Sequence, residues 1–459
     1  MSDTPVTEGS RDDIEQFGYK QELRRYMSFW DLLAYGLVFM VPIAPMGIYG
    51  VVADISHGMV PLTYLIGAVA MVFTALSYWR MAQAFPIAGS VYSYTQRGMN
   101  PHVGFMAGWM ILIDYILVPA LVYLVAGLWL SAEIPAVPFW AWILVFIVIN
   151  TILNYFGIEI MAKALWVMLG IELLAFVAFT VAAIIAVANG AGVGSFTLTP
   201  FFNPEKFSWN MVFAATSVAV LSFLGFDAIS TLAEETKNPK KMIGRSMIAA
   251  LGLLAVLFMI QTWLAGLVWP DYTTFPNVDV AFFYIAQEAG GTLVRILCLI
   301  GTVLAWGFGD GIAAQAAVSR LLFGMSRDEQ LPKILSKVSQ KTKTPYIAIL
   351  LVALITFPIA IALPLEIISS LVNFGALTAF IVLHLTVIYH YVIKENRRSF
   401  KDILTFCVLP VIGLVIIGFV WFGLASEAKT LGFIWLGIGI VYLAVITRGF
   451  KKIPPALQV

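Results

Sequence analysis

Charge is what this chain has least of. Only 12% of its 459 residues are Asp, Glu, Lys or Arg, against about 25% in soluble domains, and mean hydropathy is +0.91. So few charges cannot clothe a water-soluble globule. The 27 basic and 26 acidic residues nearly cancel, so the basic surface of a nucleic-acid partner is excluded. The two cysteines, Cys298 and Cys407, both lie in apolar runs, which excludes a disulfide framework. The four histidines, His57, His102, His384 and His390, form no zinc or catalytic setting, so a membrane metalloenzyme is excluded and no cofactor is expected. There is no nucleotide fingerprint. The first ~25 residues are polar and lack the apolar core of a cleaved leader, so a cytosolic tail is expected.

What remains is long apolar runs. A membrane crossing needs about 20 such residues, and twelve are predicted: 30–52, 59–83, 103–131, 137–157, 160–189, 209–233, 243–270, 291–324, 346–363, 366–392, 404–425 and 431–448. Basic residues set their orientation. With Arg11, Lys20, Arg24 and Arg25 in the cytosol, the C-terminal Arg448, Lys451 and Lys452 fall there too. Of all 27 basic residues, only Lys206, Arg295 and Lys429 face the other side. The expectation is an all-α, multi-pass protein of the plasma (inner) membrane, both termini cytosolic. It divides into a tail (1–29), five spans (30–189), five spans (209–392), two spans (404–448) and a second tail (449–459). Residues 84–102 read as an amphipathic segment on the cytosolic face, 326–344 as a cytosolic connector, and 271–290 as an external surface helix acting as a lid.

Two spans carry their own interruptions. The first contains Pro42, Pro45, Gly47 and Gly50, and the sixth runs Ser222-Phe223-Leu224-Gly225-Phe226-Asp227. Proline removes a helical donor and clashes with the preceding turn. Two such breaks, five spans apart and entered from opposite faces, are the pattern of inverted five-helix repeats built around a cavity. Four acids sit within these runs: Asp114, Glu172, Asp227 and Asp310. The 1.5 Å rise per helical residue puts three of them roughly 15–18 Å deep. Each costs about 2.5–3.5 kcal/mol there, and no lysine or arginine lies at comparable depth. Unpaired carboxylates at that depth suit a cation: an organic amine, a metal ion or a proton. Trp306 stands one turn before Asp310, so ring and carboxylate share a helix face and form a good ammonium site.

Three stretches carry a family resemblance. Ala84 to Tyr94 (AFPIAGSVYSY) continues into Gly104 to Trp109 (GFMAGW); Phe223 to Asp227 (FLGFD) leads to Glu235 to Lys240 (ETKNPK); and Ser319 to Asp328 reads SRLLFGMSRD. The chain resembles the amino acid–polyamine–organocation transporter superfamily over nearly its whole length. Asn100 to Met106, Leu221 to Ala228 and Val372 to Leu377 are most similar to bacterial putrescine importers. The resemblance implies a LeuT-like fold: twelve transmembrane helices, a five-plus-five inverted repeat, broken helices 1 and 6, and alternating-access transport rather than an enzymatic reaction.

Amino acid carriers of that family hold the substrate carboxylate on a Gly-Ser-Gly-type loop in the first helix. The matching residues here are Pro45-Met46-Gly47; Pro45 has no N–H and Met46 no hydroxyl, so the anion cradle is weakened. A substrate with amines and no carboxylate fits better. The expected site places Asp310 with Trp306 on one amine and Asp114, beside Tyr115, or Asp227 on the other. Phe223 and Phe226 pack the methylene chain, and Gly225, Ala44, Pro45 and Gly47 form the breaks. Glu172 departs from a position where family members often carry lysine, and is the candidate proton-coupling residue. The expected function is proton-coupled import of polyamines such as putrescine. An amino acid–proton symporter of the same fold and an amine-binding, transporter-like sensor stand as alternatives.

Plainer readings stay open beside these. Gly47 and Ile48 amides can still bind a carboxylate. Asp227 can cap the half-helix that follows it. Asp114 can be a bundle hydrogen-bond residue, Asp310 a polar kink stabiliser and Glu172 a structural glutamate. Glu234 and Glu235, with Lys237, Lys240 and Lys241, read as solvated surface or as an inward gate to Arg80 or Arg97. His384 reads as a helix–helix hydrogen-bond residue. No hydroxyl pattern for sodium appears on the eighth span, and the partners expected are the small amine or amino acid, protons and the bilayer.

Overall fold

A computed structural model describes residues 12–451; Arg11 and Lys452, counted in the two tails, lie outside that range. The described chain is helical and without a β-strand. Its helices are α1 (Phe29–Met40), α2 (Pro45–Ile55), α3 (Val60–Ala84), α4 (Ser90–Gly98), α5 (Pro101–Glu133), α6 (Phe139–Tyr155), α7 (Ile158–Ala188), α8 (Trp209–Ala219), α9 (Pro239–Val268), α10 (Ala281–Leu304), α11 (Gly311–Arg327), α12 (Tyr346–Ala362), α13 (Leu365–Ile388), α14 (Leu409–Phe422) and α15 (Ser426–Ile446). Among the described residues, nine helical stretches are long and apolar enough to cross a membrane. The α1–α2 pair, bent by 49°, makes a tenth, and α6 and α12 are apolar but shorter.

Helix starts follow local chemistry. Ser28 caps α1 in a reciprocal box: its Oγ accepts from Asp31 N at 3.3 Å, and Asp31 Oδ2 accepts from Ser28 N at 3.0 Å. Asn100 caps α5, with Pro101 at the first helical position. The outward faces are paved with exposed Leu174, Leu354, Val441 and Val445, the side chains a hydrocarbon solvent accepts. The inner helices α3, α5, α9 and α13 pack against one another and against the broken spans.

One expectation fails here. The 84–102 segment does not lie on the surface: every α4 residue except Arg97 is buried. Its polar groups are met inside the protein, Tyr92 Oη donating to Asp328 at 2.8 Å and Thr386 Oγ1 donating to Thr95 Oγ1 at 3.1 Å. The 271–290 stretch becomes an α-helix only from Ala281 onward, kinked at Gly290 and Gly291. It is tucked inward through Phe282 and Phe283 rather than floating on the surface.

Candidate functional site

The first break falls at Val41–Ala44, between α1 and α2, with Val41 at φ 53°. Several of its freed groups find partners locally. Gln261 on α9 donates to Pro42 O at 2.9 Å. Ala44 N donates to Val41 O, Met46 N to Ile43 O and Gly47 N to Ala44 O at 3.0 Å. The Gly47 amide is thus already engaged and is no ready carboxylate donor. Pro45 opens α2 as its first residue and is buried.

The second break falls at Leu224–Gly225, after a tight turn at Val220–Phe223 and before a 3₁₀ stretch, Phe226–Glu235. Gly225 sits at φ +108°, and a Cβ there would collide with the Phe39 ring, so no other residue fits. Asp227 does not cap the following helix. It turns sideways: its Oδ2 accepts from Tyr115 Oη at 2.6 Å and from Tyr78 Oη at 3.4 Å. Phe223 packs on Phe258 and Tyr64, and Phe226 on Tyr78 and Phe380.

Between the two breaks lies a cavity of about 50 Å³, room for a few waters. Phe39, Val41 and Ala44 of the first break, Val118 and Leu121 of α5, and Leu221, Ser222 and Leu224 of the second break line it, together with Trp306 and Asp310. Of the four intramembrane acids, Asp310 alone reaches this wall. It closes a π turn, Ala305–Asp310, that widens the helix between α10 and α11, a feature frequent at functional sites. Gly47 makes room for Trp306: a Cβ at Gly47 would stand 2.8 Å from its Cζ2. Trp306 Nε1 and Asp310 Oδ1 are buried without a hydrogen-bond partner among the described residues.

Glu172 and Asp114 stand behind that wall. A Cβ at Gly309 would meet Glu172 Oε1 at 2.9 Å, so the glutamate rests against the turn that carries Asp310. Both its carboxyl oxygens, and Asp114 Oδ1, lack partners among the described residues. Asp114 lies within electrostatic reach of Asp227 and Asp310, and Glu172 within reach of Asp310. None of the ion pairs found among the described residues involves these four acids. The structure therefore gathers Asp310, Trp306 and Ala44 at the cavity, with Gly47 just behind the indole. It sets Asp227, Tyr115, Phe223 and Phe226 in the packing around it.

Packed side chains lie to either side of the broken spans. On one side Tyr49 packs against Phe275 and Phe282. On the side carrying the N-terminal segment, all of Phe226–Glu235 is buried. Glu234 and Glu235 are not solvated, nor do they pair with Arg80 or Arg97. Arg320 of α11 clasps Glu235 through Nε and Nη2, the latter at 2.9 Å, and Arg327 clasps Glu234 at 2.8 and 2.9 Å. Residues separated by 85 and 93 positions meet here, a pairing that adjacent lysines in the sequence conceal. Tyr26 N and Met27 N both donate to Glu235 O, and Lys237 N donates to Met27 O. Tyr19 Oη donates to Asp328 at 2.7 Å; burial and the neighbouring carboxylate push this phenol above its ordinary range, so it stays a donor.

Three supporting residues escaped the sequence reading. Asn150 Nδ2 donates to Gly307 O at 2.9 Å, Asn154 Nδ2 to Ile312 O at 3.1 Å, and Tyr123 Oη to Gly311 O at 3.2 Å. Together they take up carbonyls around the π turn that presents Asp310. Two asparagines four residues apart in an apolar span were the available signal. His384, as expected, bridges helices, with Ser77 at 2.9 Å and Thr74 at 3.2 Å.

Comparison with known proteins follows the same lines. The amino acid permease family model matches residues 34–455. The low-affinity putrescine importer PlaP of Escherichia coli (strain K12) is 33% identical over 444 residues, 95% of this chain and 97% of that protein. The branched-chain amino acid permease BcaP of Bacillus subtilis (strain 168) is 28% identical over 468 residues, 95% of each. A methylthioribose transporter of the same organism is 25% identical over 458 residues, 93% of this chain and 94% of that protein. Broken helices around a cavity, and relatives aligned over nearly their whole length, lead to one conclusion: the chain belongs to the amino acid permease family of the amino acid–polyamine–organocation superfamily, and is a multi-pass membrane transporter rather than an enzyme.

Proposed function

We propose that this protein imports polyamines, diamines such as putrescine foremost, across the plasma membrane by alternating access in a twelve-span, five-plus-five inverted-repeat fold with cytosolic termini. The observation that carries the reading is Asp310 on the cavity wall beside the Trp306 indole, with no basic side chain paired to it. An ammonium there meets a carboxylate and an aromatic ring together, an attraction worth about 2 kcal/mol or more for the ring alone when desolvated. The apolar Val118, Leu121 and Leu224 suit a methylene chain, and the engaged Gly47 amide is no ready donor to a carboxylate. An inside-negative potential adds about 2.3 kcal/mol per charge per 100 mV. Glu172, against the Asp310 turn and without a partner, is the coupling group in this reading, since a carboxyl so placed can load and release a proton.

The test is uptake of labelled putrescine into proteoliposomes, with unlabelled competitors. Putrescine should compete better than any zwitterionic amino acid, and Asp310→Asn should lower its affinity at least 30-fold, as loss of one partner of a buried charge pair costs about 2–5 kcal/mol. Unchanged affinity removes Asp310 from the site. Better competition by a branched-chain amino acid makes the amino acid symporter the right account, a reading favoured by the apolar cavity wall. Binding without uptake would favour the sensor.

A further inference from the structure

A second pocket, of about 270 Å³, opens at the end of α3 on the face that carries the N-terminal segment, lined by Arg80, Gln83, Tyr391, Glu395, Arg397 and Phe406. Its floor is aromatic: the Tyr391 and Phe406 rings stack at 4.0 Å. Two guanidinium groups converge on it, Arg80 at 5.7 Å and Arg397 at 5.8 Å from the centre of Phe406. The carboxylate in the lining, Glu395, lies 2.8 Å from Arg397 Nε and 3.1 Å from His390 Nε2. Arg80 has no acidic partner among the described residues; its side chain donates to Gln83 Oε1 at 3.5 Å. Its backbone is pinned, Arg80 O accepting from Tyr391 Oη at 2.9 Å, so the guanidinium is held beside the floor by its own helix.

The rim is also greasy. Phe400 is 89% exposed, and Ile393 and Leu404 are exposed beside it. Basic side chains ringed by bare apolar ones belong at the boundary between headgroups and acyl chains. A positive pocket between spans at that depth is a place for an anionic headgroup, and arginine forks suit phosphate geometry. We infer that this pocket binds the headgroup phosphate of an anionic phospholipid, Arg80 and Arg397 gripping the phosphate while the acyl chains lie over Phe400, Ile393 and Leu404. By the basic-residue bias this is the cytosolic leaflet. The inference is independent of the transported substrate.

The test measures which lipid the purified full-length protein retains, by native mass spectrometry after exchange into equal phosphatidylglycerol and phosphatidylcholine of the same chains. The wild type should prefer the anionic lipid. Arg80→Gln with Arg397→Gln should lower that preference about 30-fold, at about 1 kcal/mol per basic residue near an anionic surface. Arg80→Lys with Arg397→Lys should retain part of it, and Lys341→Gln, on the exposed connector, should leave it intact. Should the glutamine pair fail to fold, salt titration of the wild type decides, because preference for an anionic headgroup must fall steeply as salt rises. No preference in the wild type, or an undiminished one in the glutamine pair, overturns the site. Equal saturation by free glycerol phosphate overturns the lipid as its occupant.

Discussion

Glu235→Gln should unlatch one face of the transporter. Glu235 and Arg320 are each 1% exposed, so solvent does not soften their attraction as it does for surface pairs. The substitution leaves a buried guanidinium facing a neutral amide, and breaking a buried pair from one side costs about 3–5 kcal/mol. At 1.4 kcal/mol per tenfold, the closed state loses roughly two to three and a half orders of magnitude against the open one. The assay is labelling of Ser230→Cys, a position now fully buried, by an impermeant maleimide in a background lacking Cys298 and Cys407, with a thermal melt of the same samples. Labelling should accelerate in Glu235→Gln. It should slow again when Arg320→Met is added with Glu235→Leu, because a well-packed apolar pair replaces a buried ion pair at little cost. Unchanged labelling together with an unchanged melt would refute the assignment of this pair as the closure.

Two further outcomes follow. Glu172→Gln should abolish the pH-gradient dependence of putrescine accumulation while leaving equilibrium binding within about threefold; normal proton-driven uptake would remove it from coupling. Gly47→Ala should push the Trp306 ring off its seat, since a Cβ would stand 2.8 Å from Cζ2. Overpacking costs about 1–3 kcal/mol, so putrescine affinity should fall roughly tenfold without loss of folded protein; unchanged affinity would separate the indole from the substrate.

The breaks were legible because their cause is local: Pro42, Pro45 and Gly225 act through their own backbone geometry. The apolar spans were legible for the same reason, being composition over 20 or so residues. Asp310 with Trp306 could be read because one helical turn relates them. The rest depended on contacts distant in sequence. Nothing near Glu235 announces Arg320, and lysines at Lys237 and Lys241 offered a false solvent-exposed setting. The hydroxyl partners of Asp227 were hidden because Tyr78 and Tyr115 come from two other helices. The α4 segment looked amphipathic, but its polar face is answered by Asp328 and Thr386 instead of water.

The joint at residues 234–237 binds several ties into one short stretch: two arginine clasps and three main-chain bonds to Tyr26 and Met27. None can be released gradually while its neighbours hold, because all share the same few ångströms of backbone. Such a joint should give way in a single event, so half-ajar states on this side should be scarce.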